Sequence, residues 1–193
     1  MNIIYCKFLI CVCIIISVIY AENDCICQKF LILPNENNFN KCSSFFKQAK
    51  ENEIDSTIEI ITQTGSLLDA IDNQNQFAVK LSYEIMRFMR VNPEYLEYLD
   101  IHIGALIIKN PEFFLQTLSE YYIDSTYHNF INLSSLVGNL GDEYVDKFNL
   151  QYKQVKKRIY SMEQVKSTKL NNIKMIVLNQ LKKKKLVLEE LIK

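Results

Sequence analysis

Only seven of the 193 residues are glycine or proline, four of the first and three of the second. Average usage would supply roughly twelve in every hundred. The chain is therefore poor in the residues that make tight turns and phosphate-cradling loops, and long helices joined by short connections follow. Hydrophobic residues make up 49% of the sequence, well above what a disordered chain carries and enough for a packed core.

The first 21 residues read as an export signal. Thirteen of the fourteen residues from Phe8 to Ala21 are apolar or aromatic, Lys7 supplies positive charge before them, and Glu22-Asn23-Asp24 follows. Cleavage is expected after Ala21. The alternative is an uncleaved membrane anchor, but fourteen helical residues reach only about 21 Å across a hydrocarbon core of about 30 Å. Export makes the compartment periplasmic or extracellular. A lipoprotein signal is excluded, because Ile10, Val12 and Asp24 precede Cys11, Cys13 and Cys25 where a small residue is needed.

Cleavage would leave three cysteines, Cys25, Cys27 and Cys42. An oxidising destination favours one bridge, from Cys42 to either Cys25 or Cys27, across a loop of about sixteen residues. A Cys25–Cys27 bridge is disfavoured by the distance between alternate strand positions. No metal or cofactor is expected: His102 and His128 are far from the cysteines and lack ligand spacing.

Along the chain, residues 22–40 read as an irregular arm carrying Cys25 and Cys27, with a loop at Pro34-Asn35-Glu36-Asn37-Asn38. Asn40–Glu51 is compatible with a helix. Ile58, Ile61, Leu68 and Ile71 predict one helix over Asp55–Ile71, despite the β-branched run Thr57–Thr62. Phe77, Leu81, Ile85 and Phe88 line the apolar face of the next segment, with Lys80, Glu84 and Arg87 opposite.

Asn92-Pro93-Glu94 and Asn110-Pro111-Glu112 then repeat one arrangement, a capping residue, a proline at the first helical position and an acid in the first turn. They predict helices over about 93–109 and 111–122. Another helix is expected from Asp124 to about Val137, with Gly138 as its C-cap. The spacing Gly138-Asn139-Leu140-Gly141 matches the glycine clamp of some RNA-binding modules, but between two helical patterns it reads as a connection. Val145, Phe148, Tyr152, Val155, Ile159 and Met162, then Leu170, Ile173, Val177, Leu181, Leu188 and Leu191, form two apolar stripes separated by Lys166-Ser167-Thr168-Lys169. They predict an antiparallel helical hairpin.

The fold expected is therefore all-α: a multi-helix bundle or short array of helix pairs, ending in a helical hairpin and preceded by a signal peptide. Its parts are a signal at 1–21, the irregular arm at 22–40, a helical body at 41–141 and a hairpin at 142–193, packed on or beside the body.

Charge is segregated within a neutral total. Residues 151–193 carry twelve basic and three acidic side chains, whereas residues 22–150 carry nine and nineteen. Lys182–Lys185 are consecutive and fan over most of a helical turn, so either a lysine stem crosses the hairpin seam or the seam is interrupted. Lys156, Lys157, Arg158, Lys182, Lys183, Lys184 and Lys185 form a candidate basic interaction patch. Three fates compete for it: an internal contact with the acidic body, an acidic protein partner, and an anionic membrane surface. Nucleic acid is disfavoured, since only Tyr152 and Tyr160 could stack there. Tyr121, Tyr122, Tyr127, His128 and Phe130 form a candidate aromatic recognition patch.

Catalytic motifs are absent. No dinucleotide fingerprint, P-loop, serine elbow or His-Glu-x-x-His occurs, and His102 reads as a half-buried helix residue. Asn132-Leu133-Ser134 is a glycosylation sequon. The functional expectation is an exported helical protein-interaction or binding factor without catalytic activity, its partner an unidentified protein. The alternatives are a peripheral membrane protein acting through the hairpin and a carboxylate-dependent hydrolase with no visible motif.

Overall fold

The computed structural model describes residues 26–88, 93–122, 131–141 and 144–193. These residues are helical and contain no strand, so the chain is all-α. The segment expected to be an export signal, Cys25 and the whole stretch from 123 to 130 lie outside them. Two compact units divide at Ser66 and Leu67.

In the first unit, residues 26–32 form α1 and Glu36–Gln48 forms α2. The arm expected to be irregular is therefore largely helical; of its described residues only 33–35 are not, and Glu36, Asn37 and Asn38 of the expected loop open α2. Cys27 and Phe30 explain this: three residues apart, they share one buried helical face. Cys27 is disulfide-bonded to Cys42 of α2, with Cα atoms 5.0 Å apart. The Phe30 and Phe39 ring centroids are 6.5 Å apart. Asn35 ends the connection by accepting from the backbone N–H of Asn38 at 2.9 Å, while the Asn38 amide donates to the Leu33 carbonyl at 3.0 Å.

The next helix, α3, spans Glu51–Thr64 and contains the whole β-branched run. Ile54, Ile58 and Ile61 are buried at helical spacing, and the Thr57 hydroxyl donates to the Glu53 carbonyl at 2.9 Å. Burial of this stripe overrides strand propensity. The helix predicted over Asp55–Ile71 is nevertheless broken at Gly65, whose φ of +65° ends α3. A new helix, α4, covers Ser66–Asp72.

The second unit continues from α4 into α5 (Gln76–Met86), α6 (Pro93–Lys109), α7 (Pro111–Tyr122), α8 (Leu133–Gly138), α9 (Phe148–Gln164) and α10 (Asn171–Leu191). Both proline-led helices start where the repeated tripeptide places them, and Asn110 accepts from the Phe113 N–H at 3.2 Å. Buried α5 residues include Tyr83, Ile85 and also Glu84, which sequence patterning placed on a solvated face. The Tyr121 hydroxyl, 3.2 Å away, donates to one oxygen of this carboxylate, Oε1, while buried Oε2 has no hydrogen-bond partner among the described residues.

Helices α9 and α10 form the antiparallel hairpin, and it packs on α6, α7 and α8. It thus belongs to the same compact unit as residues 67–141, and the body expected over 41–141 divides at Ser66. The long helix opens at Phe148 rather than near Asp142, because Asp146 adopts a positive φ of 59°. Val145, placed at the head of the seam by its spacing, is exposed. Gly138 is the last residue of α8, and the left-handed turn falls to Gly141 at φ +95°.

At Gly104 of α6 there is no room for a side chain. An added Cβ would collide with the Leu136 carbonyl oxygen of α8 and lie 3.3 Å from both terminal nitrogens of Arg158. Gly104→Ala should therefore cost at least about 2 kcal/mol, since backbone must move to admit the methyl; an unchanged urea midpoint would refute the close approach. Replacing Cys27 and Cys42 together by serine opens a loop spanning a sequence separation of 15. Under oxidising conditions this should cost about 3 kcal/mol. Dithiothreitol treatment of the unaltered protein should produce the same loss in urea unfolding.

Candidate interaction surface

The hairpin seam is built from Val155 and Met162 of α9 against Ile173, Val177, Leu181 and Leu188 of α10, all buried. Its turn is closed from α10, where the Lys174 ammonium donates to the Val165 carbonyl at 2.6 Å. Between Val155 and Met162, on the same face, stands Arg158. It is 3% exposed, which removes it from the predicted basic patch. Its Nη1 donates to the carbonyls of Val137 at 2.6 Å and Asn139 at 3.0 Å. These are carbonyls at the C-terminal end of α8, where helices leave acceptors open and favour a cation. Burial lowers the guanidinium pKa to about 10, against an opposing pull from Tyr144, so Arg158 remains charged at neutral pH.

The consecutive lysines divide. Lys182 and Lys183 are exposed, whereas Lys184 and Lys185 are half-buried. The Lys184 stem passes Gly138, its Cδ 3.7 Å from where a Cβ would stand, while Leu188 remains buried one turn further on. The helix is thus uninterrupted, and the Lys184 stem lies along α8. Lys185 pairs with Glu189 at 3.1 Å, and Glu189 accepts from the Tyr152 hydroxyl at 3.0 Å. Those two hydrogen bonds hold the Glu189 carboxyl below the usual carboxylate range. The ammonium groups of Lys156 and Lys185 lie 5.5 and 6.0 Å from the Tyr152 ring centroid.

Beside this cluster, the hairpin's outer face carries a groove of about 570 Å³. Lys156, Ile159, Tyr160 and Glu163 line it from α9, and Lys182, Lys185 and Leu186 from α10. Tyr160 is 65% exposed and Leu186 59%. Lys157, Met175, Val187 and Leu191 are also exposed on the hairpin.

Ion pairs among the described residues are Lys80–Glu120, Lys109–Asp72, His102–Asp72 and Lys185–Glu189. None joins a hairpin lysine to an acid of the helices beneath it. The internal neutralisation weighed from the sequence is therefore not made by direct pairs in the described residues; apolar packing and Arg158 make the attachment.

Of the expected aromatic patch, Tyr121 and Tyr122 are among the described residues. Tyr121 is buried with its ring 5.5 Å from that of Tyr83, so it is a core residue. Tyr122 is half-buried, and Tyr127, His128 and Phe130 lie outside the described residues. His102 is half-buried, as its pattern implied, with Nδ1 3.0 Å from Asp72. Asn132 is exposed and caps α8 by accepting from the Ser135 N–H at 3.2 Å.

A second, polar cleft of about 460 Å³ borders α8, with Glu97, Ser135, Tyr144 and Lys184 among its lining residues. Beneath it the Ser135 hydroxyl donates to buried Asp100. Among the described lining residues, Glu97 is the carboxylate on the cleft wall. Among the described residues no group of three or more His, Cys, Asp or Glu is disposed to hold a metal ion. No described helix is long and apolar enough to cross a membrane.

Comparison of the chain with protein-family models, with curated proteins and with solved structures returns no match. The reading of this surface therefore rests on its own chemistry. Arg158 and Asp100 are the residues that sequence patterning missed. Arg158 had a visible signal, its place three residues after Val155 and four before Met162, whereas the pairing of Asp100 with Ser135 spans 35 residues and has no local signature.

Burial raises the Asp100 pKa to about 6 from an ordinary 3.8, with repulsion from Glu97 adding to it and the Ser135 bond opposing it. A carboxyl raised on folding stabilises the fold fully below about pH 4, and that contribution is lost as pH rises through about 6. The difference is about 3 kcal/mol, at 1.36 kcal/mol per unit. Asp100→Asn should abolish this component, making the variant more stable than the parent at pH 8 but not at pH 4. Parallel slopes of urea stability against pH in the two proteins would refute it.

Proposed function

We propose that this protein is an exported, non-catalytic binding factor that engages an acidic partner protein through the outer face of its C-terminal hairpin. The observation carrying this reading is the attachment of the hairpin through apolar side chains and Arg158, with no ion pair from its lysines to the acidic helices among the described residues. A charge run by itself is commonly a solvated face. Here, however, the lysines border exposed Tyr160 and Leu186 across a groove, which is the mixture of aromatic anchor, apolar floor and charge that suits partner recognition.

Exposed Met175, Leu186, Val187 and Leu191 between lysines favour a second reading, a peripheral contact with an anionic membrane. A photo-crosslinking residue placed at Lys183 should capture a discrete protein in the native compartment, and the product should disappear at high salt and when Lys182, Lys184 and Lys185 are all changed to glutamine. A probe at Glu112 serves as control; equal products from both positions would sink the proposal. Flotation with anionic vesicles at physiological salt, lost in the glutamine variant, would transfer the function to the membrane.

A further inference from the structure

Resting on the basic-surface reading, we infer that the groove between α9 and α10 receives a single acidic, amphipathic helix of the partner, laid along the hairpin as the third member of a local three-helix bundle. The geometry of the two walls points to this occupant. On α9 the lining residues fall at 156, 159, 160 and 163, and on α10 at 182, 185 and 186. These are i, i+3, i+4 and i+7 steps, the ridges between which another helix inserts its own ridge. Residues 156 to 163 span about 10.5 Å, the rise of two helical turns.

The chemistry of the walls specifies the class of helix. Ile159, Leu186 and the exposed Tyr160 ring supply an apolar floor, which calls for apolar residues at helical spacing along the insert. Lys156, Lys182 and Lys185 oppose one acid, Glu163, so the complementary insert carries flanking carboxylates. Lys156 and Lys185 are held near the Tyr152 ring, and Lys185 also by Glu189. Less side-chain freedom is then lost when they meet a carboxylate. Concavity argues against a bilayer, because a flat surface meets exposed Tyr160 and Leu186 but does not reach half-buried Ile159 between them.

The test uses the full chain and a synthetic helical peptide with leucines at i, i+3, i+7 and i+10 and glutamates beside them, compared with a scramble of the same composition. Fluorescence anisotropy at physiological salt should show binding on the order of 10 µM, at least tenfold tighter than the scramble. Leu186→Asp and Tyr160→Ala should each weaken it about tenfold. Because both side chains are exposed, circular dichroism should be unchanged. Lys156→Gln with Lys182→Gln should weaken binding and flatten its salt dependence. Equal binding of helix and scramble, still lysine-dependent, would overturn the helix inference while leaving the basic surface as the binding face. Absence of binding to either peptide would count against both. A concentration-dependent dimer lost in Leu186→Asp would give the groove to a second copy, and vesicle flotation lost in that variant would give it to lipid; either overturns the inference.

Discussion

The second unit depends on the near-contact of α6 and α8 at Gly104. A helix backbone can lie this close to another only where the side chain is absent, and the Leu136 carbonyl of α8 occupies the place a methyl group would take. Arg158 reaches into the same notch from α9 and bonds the carbonyls of Val137 and Asn139. Three helices are thus tied at one point, with the guanidinium satisfying acceptors that a short helix leaves open at its end. Hydrogen bonds from a charged group contribute about 1.5–3 kcal/mol each, and removing Arg158 would leave buried carbonyls unpaired.

That tie determines how the hairpin's charge is used. One cation is spent internally, on a main-chain target rather than a carboxylate, and the seam around it is apolar. Acids of α6 and α7 are likewise engaged elsewhere: Asp100 accepts from Ser135, Glu97 accepts from Asn139 and Glu120 pairs with Lys80. Among the described residues of the second unit, no ion pair joins the hairpin's lysines to the acids of α6 and α7. A segregation that looks, in the sequence, like a recipe for internal attraction leaves a basic surface facing outward.

Much of the fold was legible where the signal is local. Proline at the first helical position and asparagine before it mark α7 correctly, and the two apolar stripes announce α9 and α10. Misreadings arose where tertiary packing decides. Residues 26–32 are helical because Cys27 and Phe30 share a buried face, which a short apolar segment near a loop does not reveal. One glycine, Gly65, divided an otherwise continuous periodic pattern. For the surface, the lysines were visible as a run, but which of them turn inward depends on helix phase and on Gly138. Arg158 was counted with the patch because basic residues are rarely buried; only the space beside Gly104 shows where its side chain goes.

The bond between Cys27 and Cys42 encloses the turn between α1 and α2, where Ile32 is 84% exposed and Leu33 59%. A protease meeting the chain there would find an accessible, apolar stretch of backbone. Cleavage within residues 28–41 would not release a fragment, because both ends stay joined through sulfur. A molecule nicked once there would keep the mass of the intact chain plus one water, and its two pieces would separate only on reduction.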